Sequence, residues 1–371
     1  MSKTRFTMRR RGLAAAAATV LAVGAIAAGC GDDDATGGGD TAGGTELSGT
    51  IAGAGASSQA AAMEAWIAGF QTENPGTTVS YDPIGSGGGR EQFTAGGTLF
   101  GGTDAALAGD ELAAAQDRCG GPDNLIQLPG YVSPIAVAYN LPEVEELRLS
   151  PETLARIFAR QIDRWDDPAI AADNPDAELP DRAITVVNRS DESGTTENFA
   201  EYLAAVAPEV WTYDVDGNWP VRGGEAAQGT SGVVDAIRTG EGAIGYADAS
   251  QVGGLGVALI GVGDEFVGPS PEAAAAILDA SPQADDPGRF VFTYELDRRT
   301  EASGTYPIVL VSYEMACTRY GSANDAALVK AFLGYVISPE GQDAAAGHAG
   351  SAPITDELRA LLHPAVDAIG G

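Results

Sequence analysis

Only two histidines, three cysteines and 21 basic residues, against 52 acidic ones, occur in the 371 residues of this chain. Each shortage removes a class of function. His348 and His363 lie in no motif that could activate a serine or, with carboxylates, hold a metal, so a phosphatase or serine hydrolase would lack its usual apparatus. The basic deficit gives a formal charge of −31 and leaves nucleic acid without an electrostatic footprint. The apolar stretch Leu13 to Ala28 is too short for a comfortable spanning helix and runs at once into Gly31 and Asp32 to Asp34. What remains is 44% hydrophobic and long enough for two domains with real cores.

The first 29 residues have the pattern of an export signal: a basic start (Lys3, Arg5, Arg9, Arg10, Arg11), the apolar stretch, and small residues before Cys30. Ile26-Ala27-Ala28-Gly29-Cys30 resembles a bacterial lipobox, which implies cleavage before Cys30, lipidation of its thiol and a membrane anchor on the extracytoplasmic face. Ala27 stands where such boxes usually carry Leu, Val or Ile, and the alternative is an ordinary secreted chain with an incidental cysteine. The arginines also suit a twin-arginine signal, so the export route stays open. Residues 30–46, rich in Gly, Asp and Thr, form the expected tether. Loss of the leader leaves 16 basic against 52 acidic groups, about −36 for the mature body. At a Debye length of about 8 Å, local dipoles rather than that net charge decide whether an anion binds. Cys119 and Cys317 lie in an exported chain, where thiols commonly pair; the choice is a disulfide or two buried thiols.

Along the body, strand-like and helix-like runs alternate. Leu47, Gly49 and Ile51 open a strand, Gly53 to Ser58 a small-residue loop, and Met63, Trp66, Ile67 and Phe70 a helix. Thr77 to Ile84 is a second strand, followed by the loop Gly85 to Gly89 and a helix starting at Arg90. Leu99 to Thr103 is a short strand ending at Asp104. Leu125 to Asn140 is a long strand that crosses between domains, and Ser150-Pro151 starts a helix facing inward through Leu154, Ile157 and Phe158. Trp165 to Pro180, polar and Pro-rich, is expected to be loop. Ala183 to Val187 leads into Asn188 to Thr196, after which Phe199, Tyr202, Leu203 and Val206 mark a buried helix face. Gly232 to Ile237 is a helix, Gly242 to Tyr246 a strand, Tyr306 to Tyr313 a strong strand, and Leu328, Phe332, Tyr335 and Val336 share one helix face. The pattern predicts an α/β fold with mixed sheets flanked by helices.

Four loops carry chemistry: Gly53 to Ser58, Gly85 to Gly89, Asp104, and Arg189 to Thr195. Glycines admit backbone N–H groups close to a ligand, hydroxyls donate or accept, and a guanidinium offers a fork of donors to a tetrahedral oxyanion. Helix N-termini add partial positive charge. Asp104 is the exception, and it is informative. A carboxylate repels a fully ionised oxyanion but accepts a hydrogen bond from a P–O–H group, so it selects phosphate over sulfate. Gly85 to Gly89 lacks the Gly-Lys-Ser/Thr ending of a nucleotide loop.

Gly53-Ala54-Gly55-Ala56-Ser57, Ile84-Gly85-Ser86-Gly87-Gly88, Phe100-Gly101-Gly102-Thr103-Asp104, Trp165 to Ile170 and Arg189 to Thr195 together resemble the phosphate-binding lipoprotein of bacterial phosphate ABC importers, the PstS family, over residues 49 to 350. The resemblance implies a two-lobed periplasmic-binding-protein fold of type II, with 47–131 plus 305–371 as lobe 1 and 132–304 as lobe 2. The ligand cleft would lie between them. It further implies phosphate contacts from Ser57, Ser58, Ser86, Asp104, Arg189, Ser193, Gly194 and Thr195, with Asp191 orienting Arg189. No metal, cofactor or catalytic residue is implied, and the partners would be inorganic phosphate and the permease and ATPase subunits of an importer, the receptor itself being a monomer. Ser58 stands where the family often has Phe, and Glu192 where it often has Gly; an inward carboxylate at 192 would oppose the ligand, so it is expected to point outward. The other readings are the same fold carrying another oxyanion or an organic phosphate, and a phosphatase-type enzyme.

Overall fold

A computed structural model describes residues 47–284 and 288–371. The leader, Cys30 and the tether lie outside the described residues. The chain begins with β1 (Gly49–Gly55), α1 (Ala60–Glu73), β2 (Thr77–Asp82), α2 (Ser86–Thr94), β3 (Phe100–Thr103) and α3 (Gly109–Cys119). Met63, Trp66 and Phe70 bury the inner face of α1, as their spacing requires. β4 (Leu125–Tyr139) then runs for 15 residues, every one of them buried. It is followed by β5 (Arg148–Leu149), α4 (Pro151–Phe158), α5 (Pro168–Asp173), β6 (Thr185–Arg189), α6 (Gly194–Val206), β7 (Glu225–Ala227), α7 (Gly229–Thr239) and β8 (Ala243–Asp248). The rest comprises β9 (Gly256–Val257), β10 (Leu259–Val262), β11 (Glu265–Val267), α8 (Pro271–Ala280), β12 (Phe290–Val291), β13 (Val309–Cys317), α9 (Ala323–Ile337), α10 (Pro339–Ala349) and α11 (Asp356–Asp367).

One sheet runs in the order β2-β1-β3-β13-β4-β8-β6-β7, with β12 and β9 also paired to β4. β4 is the strand the two halves share. Its residues 125–134 lie antiparallel to β13, and Ile135 to Tyr139 lie antiparallel to β8. The handover falls at Pro134, whose missing N–H makes it a poor member of an uninterrupted ladder. A register shift between Ser312 and Tyr313 bulges β4 at Gly130, which bends the ribbon as it leaves the first half. β12 pairs with Ile126 and Gln127 of the first half. On the outer flanks, β1 is parallel to β2 and β3, and β6 is parallel to β7 and β8. Parallel strands followed by helices send their C-terminal loops to one edge, and the Ser57, Ser86, Asp104 and Arg189 loops all leave strand ends there.

Two expectations change. The run Gly85 to Gly89 is not a loop preceding a helix; α2 starts at Ser86 and contains the glycines. Their helix-weakening cost is tolerated because the helix lies directly on the sheet: a Cβ at Gly89 would fall on the Cα of Gly55 and within 2.9 Å of the carbonyls of Ala54 and Gly102. The stretch Trp165 to Pro180 is not all loop either. Asp167 accepts from Ala169 N at 2.8 Å and Pro168 occupies the first helical turn, so the pair starts the short α5. Cys119 and Cys317 are joined by a disulfide that ties the end of α3 to the end of β13. Among the described residues no helix is long and apolar enough to cross a membrane.

Candidate functional site

Asp104 sits at the end of β3, 3% exposed, in a ring of hydroxyls. Ser58 Oγ donates to both of its oxygens at 2.7 and 2.8 Å, Thr195 Oγ1 to Oδ2 at 2.9 Å, and Ser312 Oγ to Oδ1. Burial raises its proton affinity above that of an ordinary aspartate, while the Ser312, Ser58 and Thr195 hydroxyls and the charge of Arg189 hold the rise back. A carboxylate has about four lone-pair positions. The three hydroxyls approach all four, so a proton on a ligand reaches Asp104 as one of them rotates away.

The opposite wall is built on β6 and α6. Arg189, also buried, ends β6; its Nε donates to Asp191 Oδ1 at 2.8 Å and its Nη2 to Oδ2, a bidentate grip that fixes the plane of the guanidinium. Burial pushes the Asp191 carboxyl up, but the hydrogen bond and charge of Arg189 and the N–H of Gly229 outweigh it and leave Asp191 below the usual carboxylate range. Tyr246 on β8 steadies both ends of the turn: its hydroxyl accepts from Arg189 N at 3.3 Å and lies 2.7 Å from Thr196 Oγ1, while its ring stacks on Phe199 with centroids 4.6 Å apart. Ser193 caps α6, accepting from Thr196 N at 3.2 Å. Gly194 lies so close to Asp104 that a Cβ there would be 2.7 Å from the Asp104 Cβ and from Ala105 N. Asn198 reinforces the contact by donating to the Asp104 carbonyl at 2.8 Å.

Ser57 and Ser86 complete the ring. Ser57 Oγ lies 3.0 Å from Thr230 Oγ1 and accepts from Thr230 N at 3.0 Å, which brings the start of α1 against the start of α7. Ser86 Oγ accepts from Asp104 N at 3.1 Å. Gly85, with φ of 99°, turns the chain into α2 beside Asp191 and Arg189. α1 and α2 begin without a side-chain cap and so present N–H groups to an anion, whereas the first two N–H groups of α7 are taken by Asp191 and Ser57. Ser57, Ser58, Ser86, Asp104, Arg189, Asp191, Ser193, Gly194 and Thr195 are thus brought together. Glu192 turns away from this ring: it pairs with Arg90 of α2 and is 43% exposed.

Sequence reasoning missed three groups. Ser312, with Glu314, interrupts the mostly apolar strand β13, and no local pattern distinguishes it. Gln251, whose Nε2 donates to the carbonyls of Ser57 and Ser58 at 2.9 and 3.1 Å, sits in an unremarked turn. Gly229 and Thr230 carried a usable signal, since Gly229-Thr230-Ser231-Gly232 repeats the small-residue helix start of the other loops.

A sheet shared by two halves, with uncapped helix starts converging on one buried carboxylate, defines the periplasmic-binding-protein class, and a family model described as the PBP superfamily domain matches residues 40–340. The fold resembles that of a high-affinity periplasmic phosphate-binding protein (PfluDING) solved with phosphate, with a TM-score of 0.71 at 22% identity over 85% of this chain and 93% of that one. Phosphate-binding protein PstS 3 of Mycobacterium tuberculosis (strain H37Rv) is 38% identical over 366 residues, 95% of this chain and 98% of its own length. Phosphate-binding protein PstS2 of Mycobacterium bovis (strain BCG / Pasteur 1173P2) is 32% identical with the same coverage. The chain belongs to the PstS family of phosphate-binding proteins, a two-lobed family of substrate-binding transport proteins.

Proposed function

We propose that this protein binds inorganic phosphate between lobe 1 (47–131 plus 305–371) and lobe 2 (132–304) and delivers it to a membrane ABC importer. The observation that carries the reading is Asp104, a buried carboxylate ringed by the hydroxyls of Ser58, Thr195 and Ser312 and within electrostatic reach of Arg189. Each hydroxyl can rotate to a ligand oxygen, while Asp104 accepts the proton that phosphate retains and sulfate lacks. Ser57, Ser58 and Ser86 contact the ligand from lobe 1; Arg189, Ser193, Gly194 and Thr195 contact it from lobe 2, with Asp191 holding Arg189 in place.

Six to eight hydrogen bonds to a charged ligand, at about 1.5–3 kcal/mol each, exceed the cost of closing the lobes and stripping water from the anion. The surplus reaches the roughly −8 kcal/mol of micromolar binding. No bond in the ligand is broken. Closure creates the surface that the permease recognises, and release is driven by an ATPase on another chain. Cys30 carries the lipid and residues 30–46 let the monomeric body reach its permease along the membrane face.

Calorimetric titration of the mature protein with phosphate, sulfate and a phosphate monoester tests this. Micromolar or tighter binding of phosphate, with none of sulfate, is expected; preference for sulfate or for the ester, or hydrolysis of the ester, would end the reading. Intact-mass measurement of the membrane-extracted protein tests the anchor, which is absent if Cys30 carries no diacylglycerol.

A further inference from the structure

Glu314 lies on β13 two residues beyond Ser312, fully buried, and neither of its carboxyl oxygens has a hydrogen-bond partner. A bare carboxylate in such a place costs far more than a neutral acid. Gln59, equally buried, is the hydrogen-bonding side chain against it. The orientation of the Gln59 amide follows from its other bonds. The carbonyl of Ala56 can only accept, so the Tyr81 hydroxyl spends its single hydrogen there, at 3.0 Å, and Gln59 Nε2 must be the donor to Tyr81, at 3.1 Å. Gln59 Oε1 has no partner either, so this buried cluster holds three acceptor oxygens for which no donor is supplied. A proton on Glu314 adds a donor and removes the charge. Burial does most to push the Glu314 carboxyl up to about 8 and the charge of Asp104 adds to the rise, while the Gln59 amide, which favours the ionised carboxylate, offsets part of it.

The groups around Glu314 are Gln59 at the start of α1, Tyr81 from β2, Asp104 at the end of β3 and Gly130 from β4. Of these only Tyr81, itself held neutral by burial, and Asp104 titrate. Gln59 directly follows Ser57 and Ser58, so whatever fixes Gln59 fixes the helix start that faces the ligand.

We propose that Glu314 is a positioning residue for the bound anion: uncharged, it packs behind Gln59 at the start of α1 and keeps a second negative charge away from Asp104. The inference rests on the phosphate reading. Ionisation of Glu314 then weakens anion binding by placing that charge beside Asp104.

The test is phosphate affinity of the wild type and Glu314→Gln across alkaline pH. Between about pH 7.5 and about pH 9.5 the wild type is expected to lose about tenfold in affinity, while the variant stays within about twofold. Phosphate's own ionisation is common to both proteins and cancels in the comparison. Parallel curves overturn the proposal; a wild type that binds no phosphate at any pH overturns the phosphate reading beneath it. Carbon-13 labelling of the glutamate carboxyls reads the proton in the wild type without any variant. A resonance titrating near 8 supports the assignment, and its absence, with every glutamate titrating no higher than the 7 expected of Glu197, refutes it.

Discussion

Asp104 and Arg189 oppose one another in what they do to an anion, and each is tested by a different change. Asp104→Asn exchanges an acceptor for a group that can donate, so discrimination against sulfate should fall more than phosphate affinity does; equal losses in paired calorimetric titrations would remove the acceptor role. Arg189→Ala leaves the ligand's charge and Asp191 unpaired in a buried site and should cost at least about 2 kcal/mol, more than tenfold in affinity. Glu197, one turn into α6, reports on stability instead. Burial first, and then the neighbouring Glu201, raise its carboxyl from 4.5 to about 7. The native state therefore holds a proton that the unfolded chain has released, and the stability this confers is complete below about pH 4.5 and lost as pH rises through about 7. Melting temperatures of the wild type and Glu197→Gln should diverge across that window and run parallel above it. At this scale the chemistry is largely legible in the sequence, because Asp104, Arg189 and the serines sit in short motifs beside glycines. Ser312 is not legible, for it reaches Asp104 from 208 positions away on a strand that is mostly apolar and carries no motif.

Helix starts are where elements and function meet. α2 illustrates both what is legible and what is not: the glycines announce a close approach to a ligand, but they also announce a close approach to β1 and β3, and only the second requires them to be helical. Gly89→Ala would drive a methyl into the Gly55 backbone and should destabilise the fold by about 1–3 kcal/mol, seen as a lower melting temperature with or without phosphate. Glu192 links this helix to the start of α6. Arg90 is 5% exposed and pairs with both Glu192 and Glu111, so the pair is better shielded than an ordinary surface one. Glu192→Gly should cost about 0.5–1 kcal/mol of closure, read as two- to fivefold faster phosphate release in stopped flow with little change in association. Slower release would mean that the carboxylate mainly repels the ligand. The capped helix α5 was available to sequence reasoning in Asp167-Pro168, but the surrounding polar and Pro-rich composition argued for loop, and capping chemistry prevailed locally.

For the molecule as a whole, the alternation of strands and helices conveys the fold class, and the continuous β-rich run Leu125 to Asn140 conveys that one strand crosses the middle. The sheet order does not follow from the sequence, because β13 returns from near the end of the chain to lie between β3 and β4. The disulfide closes that return with a sequence separation of 198 residues. Reducing it should lower stability by about 2–4 kcal/mol in denaturant titrations while leaving phosphate affinity nearly unchanged, since both cysteines lie at the far end of β13 from Ser312. A large loss of affinity on reduction would show that the bridge also sets the geometry of the cleft. The shared ribbon has a further consequence. Because β4 supplies backbone partners to β13 up to Pro134 and to β8 from Ile135 on, a cut that separates the two halves at any other point of the strand strips part of a ladder from one of them. A half cut in this way would present a raw strand edge to its neighbours and aggregate, and a swap of one lobe between relatives can succeed only if the strand is divided at Pro134 or travels whole with a partner it already fits.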